Sequence, residues 1–455
     1  MTVVQDLAAF AVGAAWDDVE PLAREALKLR VLDAFGCAFG ALDAAPIRAI
    51  RAHLHDMGGA QHSALIGGGR TAPDLAAFLN GAAVRYLDFN DAFLGRGEAC
   101  HPSDNLAPVL AAAEYAGASG RTLLAALAVA YQVQVRLSQE APVRRRGFDH
   151  ATQGTYAAAA GVARALGLDA LRAANAIAIS GTAFNSLRVT RTGRISNWKG
   201  LAYPNAAFGA VHSALLAARG ITGPPEVFEG SKGFMDAIAG PFEIDWRSER
   251  LDAVDATIIK RYNAEGHAQS ALDAILELRS AGLAAGHVER IDVGVFDVAY
   301  EIIGPGAGDK THVTTKEEAD HSLPYMLAAA LLDGEVTPAQ YTEERLRRAD
   351  VQQLLRRIEV HEDPALTAGF PQRQPCRIEA HLKAGGMRSI SRDDYAGPDR
   401  WDAVESKFLR LGGPPELVDV VKRLESLPVS ALGDLIARAE FAGSNRSPGT
   451  HRLRP

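Results

Sequence analysis

From the N-terminus to about residue 280, apolar residues recur every three or four positions, the period that lines one face of an α-helix. The opening stretch MTVVQDLAAFAVGAAWDDVE reads as an amphipathic helix, and Asp17 to Phe39 as a core helix begun by acids and Pro21. Helices follow at Ala45 to His55, Leu75 to Leu87, Leu106 to Tyr115, Arg121 to Gln139 and Tyr156 to Leu166. Another closes at Asn175 to Ser180, one runs from Ala206 to Arg219 before the stop signal GITGPP, and one spans Ser270 to Arg279. Gly58 to Gly69 is a Gly-rich connector with room for one short strand. Beyond about residue 280 the period changes to two, predicting strands at Val288 to Val298, Arg357 to His361, Cys376 to Leu382 and Met387 to Ser391, with Ala384-Gly385-Gly386 as a hairpin turn. Helices at Ala319 to Leu332 and Glu344 to Leu355 lie between them, and helix returns after Trp401. The pattern predicts a mainly α protein with a second α+β domain: a large all-helical domain over 1–268, completed by 400–455, and a smaller α+β domain over 269–399.

Composition narrows the classes of function. The 455 residues are 47% hydrophobic and 23% charged, enough for a substantial core. A formal net charge of -7, a pI near 6.0 and no basic run beyond Arg144 to Arg146 exclude a nucleic-acid surface. That triplet is either a solvated loop or a substrate-facing patch. No apolar run spans a membrane, and the N-terminus lacks the basic region of a signal peptide, so a cytoplasmic protein is expected. Cys37, Cys100 and Cys376 stand far apart without a CxxC pair, which argues against a disulfide framework, a zinc ribbon or an iron–sulfur cluster. The Gly-rich connector lacks the GK[ST] ending of a phosphate loop.

The candidate chemistry sits at helix ends. Asp88 to Asn105, DFNDAFLGRGEACHPSDN, interrupts helix with acids where the helix dipole disfavours them. Ser103, Asp104 and Asn105 suit an N-cap, whereas His101, fixed beside Pro102, suits proton transfer near neutral pH. Cys100 beside His101 suggests a nucleophile and base, but adjacent side chains rarely face one another. His150 stands at a second loop-to-helix junction, as a cap or an acid–base group. RVTRTGRISNWKG gathers Arg188, Arg191, Arg194 and Lys199, either a surface basic loop or a clamp for carboxylates. IIKRYNAEGHAQ carries Lys260 and His267 into another helix start, and ADHSLPY sets His321 and Tyr325 four residues apart on one helix face, with Pro324 in its first turn. Such recurrence predicts that several helix termini converge on one polar pocket.

The stretches NGAAVRYLDFNDAFLG, HPSDN, FDHATQGT, RTGRISNWKG, IKRYNAEGHAQSA and HVTTKEEADHSLPYMLAAALLDG resemble, in order and over most of the chain, the MmgE/PrpD family. That family contains 2-methylcitrate dehydratases, cis-aconitate decarboxylases and iminodisuccinate epimerases. The resemblance implies a large helical domain with a smaller α+β lid domain, a homodimer, and catalysis without metal or organic cofactor at the cleft between the two domains. By motif it carries active-site roles onto Asp91, His101, His150, Lys199, Lys260, His267 and Tyr325. HPSDN and KRYNAE favour the dehydratase branch. Gly266 and Ala92 depart from the pattern, and Gly266 is expected to enlarge the pocket.

Removing water from a hydroxy-polycarboxylate needs a base, an acid and cations. His101 or His150 is expected to move the proton, Asp91 to orient an imidazole, and Tyr325 from the lid to protonate the leaving oxygen. Arg191, Lys199, Lys260 and His267 are expected to hold substrate carboxylates and offset enediolate charge. The expected function is dehydration of 2-methylcitrate or a similar compound, with a decarboxylase or epimerase of the same family as alternatives. A noncatalytic polycarboxylate-binding protein, or a metal hydrolase built on His101, Asp91 and His150, stands further off, and the second lacks any H-E-x-x-H spacing.

Overall fold

The computed structural model describes residues 1–193 and 195–438. Arg194 and 439–455, the last part of the segment expected to complete the helical domain, lie outside the described residues.

Buried apolar residues fall into two large clusters. The first runs from Val4 to Ile259 and takes in Val404, Phe408, Leu417, Val421 and Leu432 from the C-terminal helices. The second runs from Ala264 to Ala380. The helices of the first are Ala-rich, so cohesion comes from close approach of backbones as much as from the area of any one side chain. Gly120–Glu140 packs on Ala151–Ala165, which packs on Ala202–Ala218, and Pro73–Tyr86 lies against the same Ala202–Ala218 helix. Gly154 shows the tolerance of this packing: a Cβ there would lie 2.1 Å from Tyr203 Cε2, so only glycine leaves space for the tyrosine ring. Tyr203 in turn donates to Asn105 Oδ1 at 2.8 Å and stacks on His150 with ring centroids 5.9 Å apart. This packing thus supports two of the loops predicted to carry chemistry.

The second cluster surrounds a four-stranded sheet in the order Ile358–Glu362, Val288–Val295, Cys376–Leu382, Met387–Arg392. The first pair is parallel, with Ile291 opposite Ile358, and the others are antiparallel. Helices Gln269–Ser280 and Leu323–Asp333 pack together and against strands of this sheet. Among the described residues, no helix is long and apolar enough to cross a membrane.

Several predicted elements change at their ends. The strand expected at Val288 to Val298 stops at Val295, and Asp297–Ile302 turns into helix. The Gly-rich connector holds two short paired strands, Ser63–Ala64 and Arg70–Thr71. The loop after Asp88 contains strand: Ala92–Leu94 pairs with Ala99–Cys100 and with Thr257–Ile258, bringing the first junction beside the one at Lys260. The helix expected at Ala319 to Leu332 is two, Lys316–Ala319 and Leu323–Asp333, because Ser322 caps the second and Pro324 cannot continue the first. His321 therefore lies in the break between helices, off the face that carries Tyr325.

Candidate active site

Helix Pro73–Tyr86 ends with Arg85 in its last turn, and Asp88 follows with φ +57°, left-handed backbone that is uncommon outside glycine. The side chains around Asp88 hold that conformation. Its Oδ1 accepts from Arg85 Nη1 at 2.8 Å and Lys260 Nζ at 2.9 Å, and Lys260 Nζ also donates to its carbonyl at 2.9 Å. Lys199 Nζ stands 3.4 Å from Oδ2. Burial alone would raise the Asp88 carboxyl, but Arg85, Lys260 and Lys199 hold it well below the usual carboxylate range. Asp88 is a permanent anion at the centre of three buried cations.

His101 faces this centre. Its Nδ1 lies 2.7 Å from the Asp91 carbonyl oxygen, which can only accept, so Nδ1 carries the proton and Nε2 the lone pair. Arg85 Nη2, 2.9 Å away, donates to that lone pair. Burial, then Arg85 and Lys260, keep the imidazole well below its ordinary value and therefore neutral at pH 7. Asp91 meets the imidazole through its main-chain carbonyl and not through its carboxylate. Its carboxylate accepts instead from Ser103 N at 3.0 Å and Tyr131 Oη at 2.7 Å, fixing the turn below His101. Asp104, on that turn, is pushed up to about 7 by burial despite Arg85 nearby.

His150 stands next to His101, ring centroids 5.5 Å apart. Arg191 Nη2 donates to its Nε2 at 2.8 Å, while Nδ1 is buried with no partner. Burial drives the imidazole down to about 3, outweighing the pull of Asp149. Arg191 is committed to Asp149 through Nε and Nη2.

The second cluster supplies Asp320 and His321. Lys199 Nζ lies 2.6 Å from Asp320 Oδ1 and 2.9 Å from His321 Nδ1, and His321 Nδ1 is 2.7 Å from the same carboxylate oxygen. Asp320 Oδ2 accepts from Lys316 Nζ at 2.7 Å. Two nitrogens at 2.9 Å share one proton. Burial lowers Lys199, with Asp320 and Asp88 opposing, and lowers His321 to about 4. Asp88, Asp320 and His321 are spaced to hold a cation, their ligand atoms within 4.8 Å of one another. The Lys199 ammonium already stands among all three.

Arg85, Asp88, His101, His150, Glu265 and His321 line one cleft of about 380 Å³ including its mouth, together with Glu98, Arg144, Arg188 and Arg191. A smaller cleft of about 260 Å³ reaches Asp88 and Lys199 from the side of Lys316 and Asn197. Of the residues singled out by sequence, Asp91, His101, His150, Arg191, Lys199 and Lys260 gather here, Lys260 wholly buried behind Asp88. His267 is one layer back: it is buried against the stacked pair Phe296 and Phe370, and its Nδ1 holds Glu265 Oε1 at 2.9 Å. Burial would raise Glu265, but His267 and more distant cations bring it down to about 2. Tyr325 does not reach either cleft. Its hydroxyl donates to the Gln340 carbonyl inside the second apolar cluster, because the break at His321 turns that face of the helix into the core. Gly266 does not enlarge the cleft: a Cβ there would lie 2.9 Å from Leu94 Cδ2, so the space is filled by leucine beside Ala92. Trp198, next to Lys199, is 46% exposed and plays no part in the cleft.

Sequence reasoning missed Asp88, Arg85, Glu265 and the Asp320-His321 pair as site residues. The signals were present. Arg85 and Asp88 are spaced i, i+3, Glu265 precedes His267 by two, and an acid directly before a histidine marks the helix break.

Residues 5–247 match the MmgE/PrpD N-terminal domain and residues 262–416 the MmgE/PrpD C-terminal domain. A 2-methylcitrate dehydratase of Cupriavidus necator is 32% identical over 323 residues, 66% of this chain and 64% of the relative. The mitochondrial 2-methylcitrate dehydratase of Yarrowia lipolytica is 30% identical over 310 residues, 64% of this chain and 59% of its own. Cis-aconitate decarboxylase of Mus musculus is 28% identical over 394 residues, 79% of this chain and 77% of its own. The chain thus matches somewhat under two thirds of the length of these dehydratases.

Proposed function

Because the chain belongs to the MmgE/PrpD family, we propose that it is a carbon–oxygen lyase that dehydrates 2-methylcitrate or a similar hydroxy-polycarboxylate with its own side chains as acid and base. The observation that carries this reading is the neutral, Nδ1-protonated His101 with its Nε2 lone pair on a cleft rich in buried cations. A C–H beside a carboxylate is only weakly acidic. Its removal requires a fixed base and positive charge where the enediolate forms.

A substrate carboxylate entering beside Arg85 takes over its Nη2 and releases the His101 lone pair. His101 Nε2 then removes the proton, and the electrons go to the substrate carboxylate, faced by Arg85 and Lys199. As the carbon–carbon double bond forms, the carbon–oxygen bond breaks. The proton shared by Lys199 and His321 goes to the departing hydroxide, which leaves as water. Asp320 holds that pair in place, a role served by geometry where Tyr325 has none. Glu265, on the opposite wall, repels a second anion and so biases which substrate end faces His101. The apolar second cluster acts as the lid that excludes water.

A second reading is favoured by the coverage of the decarboxylase relative, which matches more of this chain than either dehydratase does. The same clamps serve a decarboxylase, where carbon dioxide leaves in place of hydroxide and the carbanion takes the proton. Proton NMR of 2-methylcitrate, citrate, cis-aconitate and iminodisuccinate incubated in turn with the protein separates the two. Alkene signals from 2-methylcitrate or citrate are expected. Carbon dioxide release from cis-aconitate, or deuterium exchange without dehydration, would transfer the assignment to another branch of the family.

A further inference from the structure

Resting on the polycarboxylate reading above, we infer that Arg144 and Arg188 form a receptor for a distal carboxylate, so that the cleft selects a tricarboxylate over a dicarboxylate. Three observations lead there. First, the end of the cleft beyond His150 is lined by Arg144, Arg188 and Arg191, and these guanidiniums are not equally engaged. Arg191 is held by Asp149 and His150. Arg144 has side-chain exposure of 8%, yet its Nη1 has no partner; its Nη2 reaches only the Arg96 carbonyl at 3.4 Å and Glu301 at 3.6 Å. Arg188 comes no closer to a carboxylate than 3.9 Å, to an Asp149 oxygen already taken by Arg191.

Second, the acid in this end of the cleft does not consume those cations. Glu98 turns its Oε2 to the main-chain N–H groups of Arg144, at 2.9 Å, and Val143, at 3.3 Å, and its Oε1 to Ala99 N at 3.3 Å. Asp149 is thus held by Arg191, Glu98 by main-chain N–H groups, and the half-exposed Glu301 is shared between Arg144 at 3.6 Å and Arg145 at 3.5 Å, so among the described residues no carboxylate pairs closely with Arg144 Nη1 or with Arg188. Third, the orphaned Nδ1 of His150 is a buried donor, since Arg191 occupies the other ring nitrogen. A carboxylate between these groups would satisfy buried donors that otherwise stay unpaired, the usual basis of strong discrimination by a polar pocket. His101 and His150 are near enough, at 5.5 Å between rings, for one small molecule to touch both ends.

The inference assigns Arg144, from a triplet that composition left undecided, to the substrate, and leaves Arg145, 78% exposed, outside the cleft. Isothermal titration with propane-1,2,3-tricarboxylate and with pentanedioate tests it, since neither compound carries a hydroxyl to lose. Wild type should prefer the tricarboxylate. Arg144→Gln and, separately, Arg188→Gln should bind it about ten- to a hundredfold more weakly and lose most of the preference, the scale of a hydrogen bond to a charged group. Arg145→Gln should match wild type for both. Thermal melts of each variant confirm folding. Equal binding of the two acids by wild type, or a full preference retained in both folded variants, would overturn the receptor alone. Binding of neither acid by wild type would overturn the polycarboxylate reading and this inference with it.

Discussion

Lys407, on helix Trp401–Arg410, ties that helix to the loops at Phe89 and Lys260, and removing its charge should cost more stability than any surface substitution. From helix Trp401–Arg410 its Nζ reaches Asp33 Oδ1 at 2.6 Å and donates to the carbonyls of Phe89 at 2.8 Å and Lys260 at 3.0 Å, 3.6 Å above the Phe89 ring. Asp33 is 1% exposed, and burial raises its carboxyl while Lys407 draws it back. In Lys407→Met the stem stays and the ammonium goes, leaving a buried carboxylate without its partner, a loss of about 3–5 kcal/mol. The two bared carbonyls add on the order of 1 kcal/mol each, and protonation of Asp33 returns part, so roughly 5 kcal/mol is expected. Urea unfolding followed by tryptophan fluorescence measures it, and Trp401 lies on the same helix. Lys407→Met with Asp33→Asn should recover about half or more, because the stranded charge is gone. The loosened backbone beside Asp88 and at Lys260 should lower kcat more than it changes KM. A single variant within about 1 kcal/mol of wild type, or a double variant no better than the single, would contradict this role of Lys407.

The other predictions concern charge, metal and assembly. His150 is neutral in the folded chain down to about 3 but takes a proton near 6.5 when unfolded, so the unfolded state binds more protons in that window and stability falls as pH drops through it. His150→Gln should remove about 1.4 kcal/mol per pH unit of that fall, read from urea midpoints at several pH values, and parallel curves for the two proteins would contradict it. Turnover should survive exhaustive chelation, because the Lys199 ammonium stands among Asp88, Asp320 and His321; loss of activity with EDTA and rescue by a divalent ion would contradict this. Sedimentation should give a homodimer, with exposed Leu187, Val189 and Trp198 beside the cleft as its apolar contact, and a mass of 48.3 kDa would contradict it.

Helices were legible because their three- and four-residue periods are local, and the change to alternation marked the sheet at Val288, Cys376 and Met387. Ends were less legible. The break at His321 shows why: apolar spacing runs on through ADHSLPYMLA, and only the cap chemistry of Ser322 and Pro324 stops it. The family resemblance placed Tyr325 in the cleft, and the expected helix face shared by Tyr325 and His321 is divided by that break. Helix termini converge, and His101, His150, Lys199 and Lys260, each picked out at a junction, come together around Asp88 and Arg85. Asp88 was not picked out, because its meaning lies in Lys260, distant by 172 positions, and in a left-handed backbone that no local preference announces. Gly266 was misjudged for a similar reason, since the neighbour filling its space comes from the strand Ala92–Leu94.

The proposed dehydration turns on His101 Nε2 moving the substrate proton. On 2-methylcitrate or whichever hydroxy-polycarboxylate the wild-type protein dehydrates, kcat of His101→Gln should be measured by alkene absorbance, with circular dichroism and melting matched to wild type. A fall of about 10² to 10⁴ in kcat with KM little changed is predicted, the contribution of one positioned acid–base group. Turnover at the wild-type rate in folded His101→Gln would contradict the account.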